Sequence, residues 1–516
     1  MQAAYFHPSR LTSDPGWFGL YALPGFLGSL FMTVGALGVG WFPLSADILQ
    51  IKVIDFVQTE TQGLALTRSF VVVGAALLLQ AWLVVGIDAL HGKIKHLETI
   101  YFSLIAWLLP LLVAPPLFSR DVYSYFMQGK LQLAGGNPYE NGVSVVPGWF
   151  QSGVDPLWGD APTPYGPVFL LLEKAVAYVS GDSALISSYL FRLLALVGVV
   201  FICISIPMLA KAHGVDPIAA TWIGVMNPLV LMHFVAGAHN DALMVGVICI
   251  SLLLSLRNHF VSAVALATIA LGIKPVAIVL LPFLALVAAG SGASWLRRAR
   301  YGAIAGLVSL AVLFATSAAS GTGPFGWIGS LSTPGTVKSW LSPTTAVGML
   351  IGGPLQFLGF GNVIDTSVGI TRAIGSVSLA IVLVLLIIRP AGRSATRGVA
   401  LSFVALVVLG PVVQPWYLLW AIPLLAATGL THRQTRIMVL AIAAFTVHGI
   451  ANSSATADTF LELSDGIAMV LAGITLGLAM LASTSERALI LGDADESDIM
   501  PKSQEQIMRR KELELT

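Results

Sequence analysis

The chain has 516 residues, of which 56% are hydrophobic and 10% charged, with a formal net charge of +1. Soluble globular chains carry about 25% charged residues, so this composition excludes a soluble core and assigns the chain to a membrane. The near-zero charge provides no basic patch for nucleic acid, and Cys203 and Cys249 both lie inside apolar runs, so no disulfide framework is expected.

In chain order, the first 24 residues lack the apolar core and cleavage site of a secretory signal, so the N-terminus is expected to stay on the protein. Apolar runs of spanning length follow near 25–42, 70–90, 98–118, 185–210, 218–236, 239–257, 260–290, 301–320, 370–388, 398–430, 436–450 and 464–483. The runs 260–290 and 398–430 are long enough to be hairpins and are interrupted at Lys274-Pro275 and Gln414-Pro415, where proline breaks helical hydrogen bonding. The stretches 164–180 and 344–360 are expected to be partial, re-entrant or interfacial helices. The fold class is therefore all-α, a polytopic membrane protein of about 12–15 transmembrane helices. A single transmembrane domain covers 1–483, and a polar tail over 484–516 is expected to be cytoplasmic and disordered.

Orientation follows from Lys and Arg in the short loops, which are retained on the cytoplasmic side. The clusters are Lys93 and Lys95; Lys211; Arg297, Arg298 and Arg300; Arg389, Arg393 and Arg397; Arg433 and Arg436; and Arg509, Arg510 and Lys511. All can be cytoplasmic together if both termini are inside and neither 164–180 nor 344–360 crosses. The stretches 43–69, 119–163, 237–241, 321–343 and 412–416 then share the outer face. Convergence of polar groups at one membrane surface is what a site requires.

The sequence FSRDVYSYFMQGK (118–130) places Asp121 directly after an apolar run. A helix from there to about Ala134 would be amphipathic and interfacial, with Asp121, Tyr125 and Gln128 on one face and Val122 and Phe126 on another. A helix-capping Asp beside a snorkelling Arg120 accounts for the same spacing. Tyr139 in GGNPYENG and Tyr165 in TPYGPVF could stack on a ring-shaped ligand or serve as interface-belt aromatics. His239, Asn240 and Asp241 open a helix, where a cap by Asn240 or Asp241 accounts for one of the three, and His239 could instead hydrogen-bond a hydroxyl or a phosphate oxygen. Lys274, in GIKPVA, is a costly charge suited to an anion. VVQPWYLLW brings Gln414 and Trp416 to a proline-broken turn. No zinc spacing, phosphate loop or nucleophile elbow occurs in a sensible context.

The order LLPLLVAPPLFSRDVYSY, NPY, PYGPVF, NPLVLMHFVAGAHNDALM, IKP and PVVQPWYLLW, spanning about 98–430, resembles the polyprenol-phosphate-mannose-dependent α-(1→6)-mannopyranosyltransferases of mycobacteria and corynebacteria. These form the MptA/MptB group of GT-C glycosyltransferases, with the MptB branch nearer. The resemblance implies a plasma-membrane enzyme with its site facing the exterior. Its donor would be polyprenyl-phosphate mannose, and its acceptor the lipid-anchored mannan of the lipomannan and lipoarabinomannan core. It also implies Asp121 as the catalytic residue and puts Arg120, His239, Asp241 and Lys274 at positions suited to donor and acceptor contacts. The candidate donor-phosphate contacts are then Arg120, Lys274 and His239, and the candidate sugar or acceptor contacts are Tyr123, Tyr125, Tyr139, Tyr165, Asn240, Asp241, Gln414 and Trp416. Many GT-C enzymes carry a close acidic pair, whereas Asp121 is flanked by Arg120 and Val122, so neither a cofactor nor a metal is expected. A GT-C transferase of another sugar such as arabinose, a flippase of lipid-linked sugars and a non-catalytic scaffold are the competing readings.

Overall fold

The computed structural model describes residues 14, 16–331, 333–389 and 392–451. The expected run at 464–483 and the tail at 484–516 lie outside the described residues. Among these residues every regular element is helical, and the chain is an all-α polytopic membrane protein.

A π-turn over Phe18–Ala22 runs into α1 (Leu23–Val39), followed by α2 (Lys52–Thr59), α3 (Thr61–Leu90), α4 (Leu97–Leu111), α5 (Asp121–Leu133) and α6 (Pro167–Ser180). Next come α7 (Ala184–Ala212), α8 (Pro217–Gly224), a π-turn over Val230–Ala236, α9 (Asp241–Leu256), α10 (Phe260–Ile273) and α11 (Leu280–Ala289). The remainder is α12 (Trp295–Ser320), α13 (Pro343–Phe357), α14 (Ile364–Ile388), α15 (Ala395–Leu409), α16 (Ile422–Ala427) and α17 (His432–Ala451).

Among the described residues, five unbroken helices are long and apolar enough to cross a membrane: Phe18–Val39, α3, α7, α12 and α14. A sixth candidate joins Val230–Ala236 to α9 through a 109° bend. Two of the other apolar runs are carried by shorter helices because proline interrupts them: α10 stops at Lys274 before Pro275, and α15 ends before the 3-10 turn Pro415–Trp420. The two interruptions read from the sequence are thus breaks in the chain's helices.

Close backbone contact fixes α9. A Cβ on Gly198 of α7 would stand 2.2 Å from the carbonyl oxygen of Ala242, so only glycine lets α7 meet the start of α9 at this distance. Buried Arg192, also on α7, donates to Val235 O (3.0 Å), Ala236 O (3.2 Å) and Leu112 O (2.9 Å). It thereby ties the bend before α9 to the end of α4. Two helices, α4 and α15, start at a basic cluster (Lys93 and Lys95; Arg393 and Arg397) and lead at their other end to residues that line a single cavity.

α5 does not lie open at a surface. Only Asp121, Lys130 and Leu133 along it escape full burial, because α6, α7 and the 143–163 loop enclose it.

Candidate active site

A cavity of about 600 Å³ opens where the ends of α1, α4, α10 and α15 meet the starts of α5 and α6. Its size is that of a small-molecule site. Asp121, the first residue of α5, lines it with 21% of its side chain exposed. Ser124 and Gln128 line it from the same helix, so Ser124 occupies the place expected of Tyr125.

Two strained residues aim the site. Phe118 (φ 67°) and Ala238 (φ 51°) adopt the left-handed conformation that non-glycine residues avoid, and they lie just before Ser119-Arg120-Asp121 and His239. His239 is fully buried, with its ring stacked on Trp416 at 3.7 Å and 21°. Its Nδ1 stands 3.4 Å from Asp121 Oδ2. Burial raises the proton affinity of the Asp121 carboxyl, but His239, the charge of Lys274 and the Ser119 hydroxyl outweigh it and hold the pKa below its ordinary value.

Both cations on the cavity wall are already paired. Lys274 Nζ donates to Asp241 Oδ1 and Oδ2, each at 2.8 Å, and Trp420 Nε1 donates to Asp241 Oδ1 at 2.6 Å. The ammonium also lies over the rings of Tyr417 (5.0 Å), Trp420 (5.4 Å) and Tyr165 (5.9 Å), an aromatic cage of the kind that stabilises cations. Arg120 donates to Val154 O (3.2 Å), approaches Asp155 Oδ2 (3.6 Å) and sits 4.5 Å over Trp41. Arg120 therefore braces the 143–163 loop, while Lys274 presents a fixed charge.

Of the residues singled out in the sequence, Asp121, Arg120, Lys274, Tyr165, Gln414 and Trp416 line the cavity, with His239 directly behind Asp121. The structure does not bring the others to it. Tyr123 donates its hydroxyl to Trp41 O at 2.6 Å. Tyr125 packs edge-on against Tyr165, Phe169 and Phe191. Tyr139 belongs to a separate cluster with Leu170 and Trp327. Asn240 is buried at the start of α9, and Asp241 is fully buried behind Lys274. Asp241 is thus the counter-ion of Lys274. No group of three or more His, Cys, Asp or Glu side chains among the described residues could hold a metal ion.

Sequence reading missed Arg192, Trp41 and Ser124. The signal for Arg192 was a lone guanidinium inside an apolar run, which needs buried acceptors.

Fold and site together define a polytopic membrane protein that presents an ionised carboxylate and a fixed ammonium in one cavity at a shared end of its helices. Residues 22–290 match the family profile described as alpha-(1->6)-mannopyranosyltransferase, N-terminal domain, and residues 344–478 match the MptB C-terminal domain. The chain belongs to the α-(1→6)-mannopyranosyltransferase family. It is 34% identical over 456 residues to alpha-(1->6)-mannopyranosyltransferase A of Mycobacterium tuberculosis, covering 84% of this chain and 85% of that protein. It is 32% identical over 503 residues to a probable alpha-(1->6)-mannopyranosyltransferase of Mycolicibacterium smegmatis, covering 90% and 88%. Alpha-(1->6)-mannopyranosyltransferase B of Corynebacterium glutamicum is 30% identical over 445 residues, covering 80% and 73%. No solved structure matches the chain.

Proposed function

We propose that this protein transfers mannose from polyprenyl-monophosphate mannose to an α-(1→6)-mannan acceptor, with inversion, at the outer face of the plasma membrane. In this reading it is a GT-C enzyme that extends the core of lipomannan and lipoarabinomannan. The observation that carries the reading is Asp121, an ionised carboxylate on the wall of an aromatic-lined cavity that also exposes Lys274. Family membership supplies the sugar and the linkage. The outer-face assignment rests on the basic clusters at the ends of α4 and α15 away from the cavity.

In the reaction, the acceptor O6–H bond breaks and Asp121 takes the proton. The O6–C1 bond forms as the C1–O bond to phosphate breaks, and polyprenyl phosphate leaves with the electron pair. A β-linked donor attacked from the opposite face gives an α product. His239 holds the Asp121 carboxylate in its ionised, oriented form, and Lys274 neutralises charge on the departing phosphate. Asp241 and Trp420 keep that ammonium from following the substrate, so its field is fixed before the reaction.

Purified protein supplied with polyprenyl-phosphate mannose and an α-(1→6) oligomannoside tests the reading. Release of polyprenyl phosphate together with a lengthened oligomannoside is expected. Movement of the intact donor across a bilayer without its cleavage would identify a transporter instead.

A further inference from the structure

Arg372 lies inside α14, an apolar spanning helix on the exposed flank of the protein. A guanidinium in such a helix is costly and is retained where it has partners and a task. Here each of its nitrogens reaches a different acceptor. Nη1 donates to Gly335 O at 2.5 Å, Nη2 to Val337 O at 2.7 Å and Nε to Thr345 Oγ1 at 2.9 Å. Fully buried Thr345 passes the connection on, donating to Pro411 O at 2.7 Å.

These contacts meet at the cavity. Thr333 and Val337 line it from the segment 333–337, and Val412 and Gln414 line it from the turn that Pro411 begins. The Thr333 hydroxyl donates to Pro162 O at 3.3 Å, and Pro162 lines the cavity from the 143–163 loop. The segment 333–337 therefore spans from the first loop to α14. It falls between the two stretches, 22–290 and 344–478, that match the family profiles. A second tether, Lys338 with Asp365, is an exposed ion pair, a kind that contributes little.

We propose that Arg372 is a positioning residue for the transfer reaction. It anchors 333–337 as a strap across the cavity and locks that strap to the 411–414 turn, so that the wall beside the bound sugar is fixed. The kinetic consequence rests on the mannosyl-transfer reading. The mechanical consequence does not, because Lys338 provides a tryptic site at the end of the anchored stretch.

The test uses full-length R372Q and R372K in detergent, with D365N as the control for the exposed tether. Trypsin cleavage after Lys338 and KM and kcat with lipid-linked mannose and an oligomannoside are measured for each. R372Q is expected to be cut at Lys338 about tenfold faster, since cleavage tracks the population of the open form. Its KM is expected to rise about tenfold with a smaller change in kcat, as a displaced wall loosens substrate positioning. R372K, which lacks the planar fork, should fall between R372Q and wild type, and D365N should keep the wild-type KM. Wild-type cleavage in R372Q, or faster cleavage with unchanged KM, would overturn the proposal. So would failure of both Arg372 variants to accumulate folded, which would make Arg372 a folding residue. Faster cleavage in a protein whose wild type shows no transfer would leave the strap standing and sink the transferase reading.

Discussion

The two helix breaks that bear on Asp121 are held in opposite ways. At 237–240 the backbone bends by 109° through left-handed Ala238, and buried Arg192 pins the bend through the carbonyls of Val235 and Ala236. At Lys274 one extended residue (φ −142°, ψ 122°) separates α10 from the 3-10 turn Pro275–Val279, and its side chain closes onto Asp241. The first break is a rigid frame made of neutral acceptors, and the second depends on charge. Because Asp241 begins α9 immediately after the first break, the second is registered against the first. The geometry around Asp121 therefore depends on Arg192 before it depends on Lys274.

Removing the frame should have the larger effect. Arg192→Met takes a donor from the carbonyls of Val235, Ala236 and part-buried Leu112, of which Ala236 O keeps the Leu117 N–H at 3.3 Å, and each buried acceptor left without a partner costs about 1–3 kcal/mol. We expect little folded protein in membranes, measured by detergent-resistant accumulation and thermal unfolding. Wild-type stability in this variant would mean that the bend holds itself.

The charged break should fail more selectively. Lys274→Met strands a buried carboxylate, which costs about 3–5 kcal/mol, and removes the proposed phosphate contact. The double variant D241N/K274M should be more stable than K274M alone, because the amide introduced at position 241 is neutral and its oxygen still accepts from Trp420, yet its donor KM should stay raised. Recovery of donor KM in the double variant would remove Lys274 from donor binding.

The smallest effect is a shift in pH dependence. Asp121 must be ionised to accept a proton, and its depressed pKa places the acid limb of kcat/KM below that of an ordinary carboxylate. The stability linked to this group has the same sign: it is present above the unfolded carboxyl's pKa and lost as pH falls through the folded value. His239→Gln removes the main partner that lowers the pKa and leaves the burial that raises it, so the acid limb should move to higher pH. An unmoved limb would show that His239 does not act on Asp121.

What could be read from the sequence was polarity out of place. Asp121 after an apolar run, Lys274 before a proline and Gln414-Pro415-Trp416 each violate local patterning, and all three reach one cavity. Tyrosines carried no such signal. Tyr123, Tyr125, Tyr139 and Tyr165 look alike in sequence, but only Tyr165 of these four lines the cavity, since a hydroxyl satisfied by Trp41 O leaves no mark on local patterning. Asp241 was legible as a polar residue at a helix start, but its pairing with a lysine 33 positions away was not. Arg192 and Arg372 stand within apolar runs, and the sequence reading singled out neither. Their acceptors are mostly backbone carbonyls from distant segments, which only the folded chain brings within reach.

The most direct test compares wild type with Asp121→Asn in membranes supplied with lipid-linked mannose and an α-(1→6) oligomannoside. Asn preserves size and removes the proton acceptor, so turnover should fall by about 10²-fold or more with the protein still folded. A loss below about tenfold would contradict Asp121 as the base.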